Sequence, residues 1–202
     1  MTAPRLLLLD NVDSFTFMLA DYLRVAGAEV IVARHDALDV AQALDAGRDG
    51  IVISPGPGAP HDAGISVALA AACVEARRPL LGVCLGHQAL GLACGARIDR
   101  VAPLHGKIAA VRHDGSALFA GLPSPFDATL YHSLAVTDLP DALIASAWSG
   151  DGVVMAMRHR DAPAYGVQFH PESVATPHGA AIIAAFVGAC HEGASGLSPL
   201  DM

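Results

Sequence analysis

Short apolar runs alternate with helical patterns in the first half of the chain, and this alternation constrains the fold more than any other feature. The apolar runs predict strands near residues 5–9, 29–33, 50–54 and 79–83, and the intervening patterns predict helices near 15–26, 38–46, 64–77 and 87–94. Strands separated by helices pair in parallel, because each helix carries the chain back across a face of the sheet. The alternation therefore predicts an α/β fold with a doubly wound, mostly parallel central sheet and helices on both faces.

The second half of the chain has a different pattern. Residues 96–170 are rich in strand-forming segments, including 107–111 and 152–157, and we expect these to add antiparallel strands to the sheet. An alanine-rich stretch at 178–191 predicts a helix that returns to the sheet. We therefore expect one domain over residues 1–192, followed by a flexible tail at 193–202.

Composition agrees with one domain in a reducing compartment. The 202 residues are 53% hydrophobic, which is enough to bury a sizeable core, and the net charge of −8 argues against nucleic-acid or anionic-membrane partners. The cysteines at 73, 84, 94 and 190 have no C-x-x-C spacing, so we expect reduced thiols and a cytoplasmic location. The apolar run at 5–9 is too short for a signal peptide or a membrane span.

One cysteine lies between glycines where an apolar run gives way to a helical pattern. Gly82 and Gly86 flank Cys84, and small residues there let the backbone bend sharply and let a substrate approach. The free N–H groups at the start of the helix favour a thiolate, which is the nucleophilic form of cysteine. An arbitrary cysteine is more often a small buried hydrophobe, but the flanking glycines favour a nucleophile at Cys84.

A nucleophilic cysteine needs a base, and residues 165–173 supply a candidate. Pro171 favours an extended conformation at His170, which allows the side chains of His170 and Glu172 to project to the same side. The carboxylate can then orient the imidazole while the other ring nitrogen exchanges a proton with sulfur. This pattern predicts a triad of Cys84, His170 and Glu172.

A β-branched run at 51–53 ends in a loop rich in proline and glycine. Glycine exposes backbone N–H groups without a Cβ atom, so the loop at Gly56, Pro57 and Gly58 is suited to bind a carboxyl group or an oxyanion. An ordinary tight turn explains the same composition. A phosphate site is disfavoured, because no phosphate-binding glycine motif is present.

Six ordered segments together resemble the class I glutamine amidotransferases, in particular the small subunits of anthranilate synthase and aminodeoxychorismate synthase. The segments are residues 10–16, 54–58, 82–88, 104–107, 131–134 and 168–173. The resemblance extends over nearly the whole chain. It implies the three-layer α/β fold of that family.

The resemblance also implies a reaction and a set of site residues. Cys84 would attack the side-chain amide of glutamine and form a thioester, with His170 and Glu172 completing the triad. The residues implied to contact glutamine or its oxyanion are Gly56, Pro57, Gly58, Leu85, Gln88, Ser133 and Leu134. Gln88 could equally be a glutamine on the helix surface. The family needs neither a metal nor a cofactor in this subunit.

A partner follows from the same resemblance. A chain of this length holds the glutaminase domain and no second catalytic domain, so we expect a hetero-oligomer with a large, chorismate-binding synthase subunit that receives ammonia along a protected path. That subunit decides between anthranilate, for tryptophan, and aminodeoxychorismate, for folate. Residues 104–107 resemble the partner-facing loop of the family, although by themselves they indicate only an exposed basic turn.

The first helix contains one departure from the family pattern. Met18 stands where the family often has asparagine, so local contacts with a partner could differ. Asp13 or Ser14 is expected to cap this helix.

Three alternatives remain open at the level of sequence. Cys84, His87 and His170 could bind a metal, although no regular zinc-ligand spacing is present. The same triad could serve a cysteine hydrolase that acts on another γ-glutamyl amide or a peptide. The chain could also be a noncatalytic regulatory subunit that retains the triad.

Overall fold

Nine strands form one mixed sheet in the computed structural model, which describes residues 2–194. The strands are β1 Arg5–Asp10, β2 Glu29–Arg34, β3 Gly50–Ile53, β4 Leu80–Val83, β5 Arg97–His113, β6 Phe126–Thr137, β7 Leu143–Ser149, β8 Val154–His159 and β9 Ala164–Val167. The α-helices are α1 Thr16–Val25, α2 Val40–Ala46, α3 Ser66–Glu75, α4 Leu85–Ala93 and α5 Gly179–Ala194. Short 3-10 helices cover Pro60–Asp62 and Ala117–Phe119.

The strand order across the sheet is β2-β1-β3-β4-β9-β8-β7-β5-β6. The first five strands in this order pair in parallel, and the remaining strands continue the sheet through antiparallel pairs. The predicted α/β fold is confirmed, as is the antiparallel extension by the second half of the chain. β9 is the strand that joins the two parts, because it is parallel to β4 and antiparallel to β8.

Alternate residues of the parallel strands pack against different helices. In β1, Leu6 and Leu8 belong to the apolar cluster that includes side chains of α1 and α5. Leu7 and Leu9 belong to a second cluster with side chains of α2, α3 and α4. All four leucines are fully buried, and burying each contributes about 1.5–3 kcal/mol. The apolar run that forms β1 is therefore hydrophobic throughout, because both faces of the sheet are covered there.

Two local expectations need correction. The expected basic turn at residues 104–107 is instead part of β5, where the pairing with β6 shifts register between Arg100 and Leu104 and again between His105 and Lys107. Gly106 adopts a φ of 63° at this point, so a glycine that suggests a turn provides a bulge in a continuing strand. Helix α4 begins at Leu85, immediately after Cys84, rather than near residue 87.

The structure does not show the expected capping of α1 by Asp13 or Ser14. The residue at the N-cap position is Phe15, which makes no side-chain capping bond. The Asp13 carboxylate accepts from the Phe15 N–H at 2.8 Å, one residue before the helix, and Asp10 accepts from the Thr16 hydroxyl at 2.7 Å. Two carboxylates thus order the connection between β1 and α1.

The C-terminal helix is longer than expected. It continues to Ala194, whereas the predicted helix ended at residue 191. Residues 195–202 of the predicted flexible tail lie outside the described residues, and the proposed domain boundary stays a prediction. No helix within residues 2–194 has both the length and the apolar character needed to cross a membrane.

Candidate active site

Cys84 occupies the single residue between strand β4 and helix α4. Its backbone has φ 52° and ψ −100°, a conformation that side-chain-bearing residues rarely adopt. A Cβ atom on Gly82 would lie 2.3 Å from the Gly86 carbonyl oxygen, and a Cβ atom on Gly86 would lie 2.2 Å from the Ile53 carbonyl oxygen. Both glycines are therefore required by the close approach of the backbone, which holds Cys84 in a sharp turn.

The sheet topology brings His170 next to this turn. β4 and β9 are neighbouring parallel strands, with Val83 opposite Val167, so the segments that follow them emerge at the same edge of the sheet. The Cys84 N–H donates to the Val167 carbonyl at 2.8 Å. The His170 N–H donates to the Thr129 carbonyl on β6 at 3.0 Å, which anchors the segment after β9.

His170 and Glu172 form a buried pair. The Nδ1–H of His170 donates to Oε1 of Glu172 at 2.6 Å, and both side chains are almost completely shielded from solvent. The Nε2 atom of His170 makes no hydrogen bond of good geometry within the described part of the chain. Burial by itself would lower the pKa of His170, but the interactions with Cys84 and Glu172 outweigh burial and raise the pKa to about 10. A protonated imidazole at neutral pH is suited to stabilise a thiolate and to donate a proton.

Two aromatic rings pack against the imidazole of His170. Phe15 contacts it edge-on with 5.6 Å between ring centroids, and Tyr131 does so at 5.3 Å. Phe15 and Tyr131 also contact each other, with centroids 5.8 Å apart. These contacts restrict rotation of the imidazole and exclude water from one side of it.

A pocket of about 210 Å³ opens beside Cys84. Its lining residues are Gly56, Pro57, Gly58, Cys84, Leu85, Gln88, Tyr131, His132, Ser133 and Leu134. Every residue that the resemblance implied for contact with glutamine or its oxyanion therefore lies in one pocket with Cys84. Tyr131 and His132 were not predicted as site residues, although both belong to the segment 131–134 on which the resemblance rests.

Asn11 holds the glycine-rich loop in place. Its backbone N–H donates to the Ser54 hydroxyl at 2.9 Å, and its side-chain amide donates to the Ser54 carbonyl at 3.1 Å. A Cβ atom on Gly56 would lie 2.6 Å from Cβ of Asn11, and Gly58 has a φ of 78°. The backbone therefore requires glycine at both positions. The loop is a tight turn that also forms one wall of the pocket.

A chain of side-chain amides lies behind another wall of the pocket. Nε2 of Gln88 donates to the Leu134 carbonyl and to Oε1 of Gln168, each at 3.1 Å. Nε2 of Gln168 donates to the Cys84 sulfur at 3.6 Å. Gln88 is only 3% exposed, so it is not the surface glutamine considered as an alternative. Gln168 was not predicted as a site residue either, although it lies in the segment 168–173.

Two further histidines lie close to the site. Burial lowers the pKa of His87 to about 3, and the nearby backbone of Gly166 opposes this only in part. Burial also lowers the pKa of His132, whose Nδ1 lies 3.1 Å from the Leu134 carbonyl. Within residues 2–194, no three His, Cys, Asp or Glu side chains are placed to hold a metal ion. The alternative metal site at Cys84, His87 and His170 therefore has no geometric support.

Comparison with known proteins gives consistent matches along the chain. Residues 7–190 match the sequence profile described as glutamine amidotransferase class-I. Anthranilate synthase component 2 of Thermus thermophilus is 50% identical over 189 residues, covering 91% of this chain and 91% of that protein. Aminodeoxychorismate synthase of Streptomyces griseus is 52% identical over 187 residues, which are 90% of this chain and 25% of that protein. The chain therefore spans about a quarter of the length of the latter relative.

A solved structure agrees in fold. A protein of Thermoplasma acidophilum, provisionally described as part of a GMP synthase, superimposes with a TM-score of 0.87 at 26% identity. The superposition covers 96% of this chain and 98% of that one. The three-layer arrangement around the mixed sheet is thus shared over nearly the whole length of both proteins. Because the family profile and the close relatives each extend over most of the sequence, the chain belongs to the class-I glutamine amidotransferases.

Proposed function

We propose that this protein is the glutaminase subunit of anthranilate synthase, which hydrolyses L-glutamine to glutamate and delivers ammonia to a separate chorismate-binding subunit. The observation that carries the proposal is the placement of Cys84 in a pocket lined by the expected glutamine contacts, beside the buried pair of His170 and Glu172. The match to component 2 of Thermus thermophilus along most of both chains supports the choice of synthase.

The first half of the proposed reaction releases ammonia. The thiolate of Cys84 attacks the side-chain carbonyl carbon of glutamine, and the carbonyl oxygen becomes an oxyanion. Leu85 is the first residue of α4, so its N–H has no acceptor within the helix and is available to the oxyanion together with that of Gly58. When the C–N bond breaks, the His170 imidazolium gives its Nε2 proton to the leaving nitrogen. The products are ammonia and a glutamyl thioester on Cys84.

The second half regenerates the enzyme. Neutral His170 takes a proton from water at Nε2, and the resulting hydroxide attacks the thioester carbon. The C–S bond breaks, the thiolate and imidazolium are restored, and glutamate leaves after its new carboxyl group loses its proton to water. Glu172 holds Nδ1–H throughout and stabilises the imidazolium. The proposed cycle uses no cofactor and no metal.

Delivery to a partner and a cytoplasmic location are further parts of the proposal. Ammonia released into neutral water becomes ammonium and loses its nucleophilicity, so a protected path into the synthase is needed. The four cysteines are free in the structure, as expected for a protein of a reducing compartment.

Aminodeoxychorismate synthase is a second candidate partner reaction. The relative from Streptomyces griseus carries that name and is as similar to this chain as the component 2 protein. The acceptor chemistry belongs to the other subunit, so the glutaminase pocket is compatible with both. One small subunit could serve both synthases.

The test is glutamine-dependent product formation from chorismate with a purified large subunit of anthranilate synthase, followed by anthranilate fluorescence. We expect Cys84→Ala to reduce glutamine-dependent synthesis by at least about a thousandfold, because the nucleophile is removed. Synthesis from added ammonia should persist in the same complex. Cys94→Ala is a matched control, since Cys94 lies at the other end of α4 and should not affect either activity.

Each contrary outcome has a clear meaning. Glutamine-dependent synthesis by Cys84→Ala would contradict the assigned nucleophile. If the wild-type protein yields no anthranilate with a large subunit that is active with ammonia, the anthranilate assignment is wrong. Product from the large subunit of aminodeoxychorismate synthase would then establish the second candidate.

A further inference from the structure

Gln168 is a fully buried polar residue that touches the sulfur of Cys84. It follows β9 directly and precedes the segment that carries His170, and its backbone N–H donates to the Met155 carbonyl at 2.8 Å. Its side chain is 0% exposed. A buried amide of this kind is retained only when its hydrogen bonds are satisfied, so both of its ends need to be accounted for.

The orientation of the Gln168 amide follows from its neighbours. The Leu134 carbonyl can only accept, so the nearby end of the Gln88 side chain is its NH2 group. The same NH2 group faces Oε1 of Gln168. The Gln168 NH2 group is then the end that points to Cys84, with Nε2 at 3.6 Å from the sulfur. Two consecutive donor–acceptor pairs thus direct an N–H donor at the sulfur.

A donor at this place favours one ionisation state of Cys84. The Tyr131 carbonyl oxygen lies 3.8 Å from the sulfur and can accept the proton of a neutral thiol. An N–H donor stabilises the negative charge of the thiolate, whereas a carbonyl oxygen stabilises only the S–H form. Gln168 therefore opposes the effect of the Tyr131 carbonyl.

Several titratable groups also surround the sulfur. His170 interacts with Cys84 directly and carries Glu172 on its other ring nitrogen. His132 on β6 lines the same pocket and interacts with His170 and Asp151, and His87 on α4 interacts with His132. A conservative replacement of Gln168 leaves all of these groups in place, so its effect on Cys84 can be measured separately from theirs.

We propose that Gln168 is a catalytic residue whose side-chain amide donates a hydrogen bond to the Cys84 thiolate, with its orientation set by Gln88 in the pocket wall. The inference rests on the proposed role of Cys84 as the nucleophile. It adds to the Cys84, His170 and Glu172 triad a neutral donor that acts on the sulfur itself. It also links the glutamine pocket to the nucleophile, because Gln88 contacts both the pocket and Gln168.

The test measures thiol ionisation without glutamine or a synthase. The full-length protein is alkylated with iodoacetamide from about pH 5 to pH 10, and modification of Cys84 is quantified by peptide mass spectrometry. Cys73 and Cys190 do not interfere, because burial raises the pKa of each to about 12. We expect Gln168→Met, which has similar size but no donor, to move the midpoint of the rate profile upward by about one pH unit.

Two additional variants make the outcome decisive. Gln168→Asn keeps the amide on a shorter side chain that no longer reaches the sulfur, so the midpoint should also move upward. This variant replaces Gln168→Met in the test if Gln168→Met loses the circular dichroism of the native protein. Gln42→Met is the control, because Gln42 belongs to the capping box of α2, and it should keep the wild-type profile. An unchanged midpoint in a folded Gln168 variant would overturn the proposal. If the amidotransferase test with Cys84→Ala contradicted the proposed function, the alkylation profile would still report whether Gln168 acts on the sulfur. The proposed function and the role of Gln168 can therefore be contradicted independently.

A kinetic readout complements the alkylation profile. In complex with the synthase, Gln168→Met should lower glutamine-dependent turnover at pH 7 by up to about tenfold, as expected for a midpoint shift of about one pH unit. Synthesis from added ammonia should not change. Equal loss of both activities would indicate a structural defect and contradict a specific role of Gln168 at the sulfur.

Discussion

His87 and His170 are both buried close to the pocket, but their surroundings drive their protonation in opposite directions. His170 has a carboxylate on one ring nitrogen and a thiol beside it, which raise its pKa. His87 is 0% exposed, and neither of its ring nitrogens makes a hydrogen bond of good geometry within the described part of the chain. The presence or absence of an ionisable partner therefore decides whether a buried imidazole is protonated or neutral.

We expect the free energy of unfolding of His87→Leu to fall less steeply in mild acid than that of the wild type. The pKa of His87 is about 3 in the folded protein and about 6.5 when unfolded. The stability associated with a neutral His87 is therefore fully present above pH 6.5 and is lost as the pH falls toward 3. We expect the variant to remove a decline of about 1.4 kcal/mol per pH unit in the free energy of unfolding below pH 6.5. Urea denaturation at several pH values measures this slope.

The acid dependence of His170 does not obscure the effect. Its folded pKa is raised, so its contribution is fully present below the unfolded pKa and is lost only as the pH rises toward about 10. At pH 7, His87→Leu should be neutral or slightly stabilising, because two unpaired nitrogens are replaced by apolar atoms. Equal slopes for the variant and the wild type would contradict a neutral, buried His87.

At the scale of elements, the approach of α4 to the sheet decides where Cys84 lies. Gly86 is in the first turn of α4 and faces the Ile53 carbonyl at the end of β3. Helix and strand can approach this closely only without a Cβ atom. The position of Cys84 therefore depends on a packing contact between two elements as well as on its own turn.

Gly86→Ala should destabilise the protein and displace α4. The added Cβ atom would lie 2.2 Å from backbone oxygen, which no side-chain rotation relieves, so we expect a loss of about 1–3 kcal/mol or more in the free energy of unfolding. Thermal and urea unfolding measure the loss.

Gly188→Ala is the matched control for this substitution. A Cβ atom at Gly188 would meet nothing within 4 Å, and the residue lies inside α5. Alanine there should stabilise the helix by about 0.5–1 kcal/mol. If the two variants had the same stability, the proposed close contact of α4 with β3 would be incorrect.

At the scale of the whole molecule, exposed apolar residues lie close in sequence to Phe15, which packs against the site. Val12, Phe17 and Met18 are exposed on either side of Phe15, which contacts both Tyr131 and His170. Exposed apolar surface next to a reactive pocket is typical of a protein interface. The proposed synthase subunit would cover this surface and enclose the path for ammonia.

Met18→Glu should weaken binding to the synthase subunit by at least about tenfold, because a charge would be buried without a partner at the interface. Isothermal titration calorimetry with the large subunit measures the affinity. Val25→Glu is the matched control, since Val25 is 89% exposed at the far end of the same helix. Equal affinities of the two variants would place the interface elsewhere on the molecule.

Much of the fold could be predicted from local sequence. The apolar runs that form β1, β3 and β4 are buried on both faces, so their hydrophobicity is continuous and their positions are clear. The loop at 56–58 and the turn at Cys84 were predicted from short motifs, whereas residues 85, 88, 133 and 134 were implied by the family resemblance, and all of these residues line one pocket. Short motifs encode backbone requirements, such as glycine at a close contact, that are independent of the rest of the chain.

Local sequence specified most of the elements and the turn at Cys84, and the family resemblance named the residues that line the pocket, whereas long-range packing decided how the polar groups around the sulfur are connected. Gln168 bonds to Gln88 and Cys84 across 80 and 84 residues of chain, and the pKa of His87 is lowered chiefly because the folded chain buries it. The strand at 104–107 was mistaken for a turn because its pairing partner is remote in sequence. Such contacts depend on the order of strands in the sheet, and no local preference of the chain specifies that order.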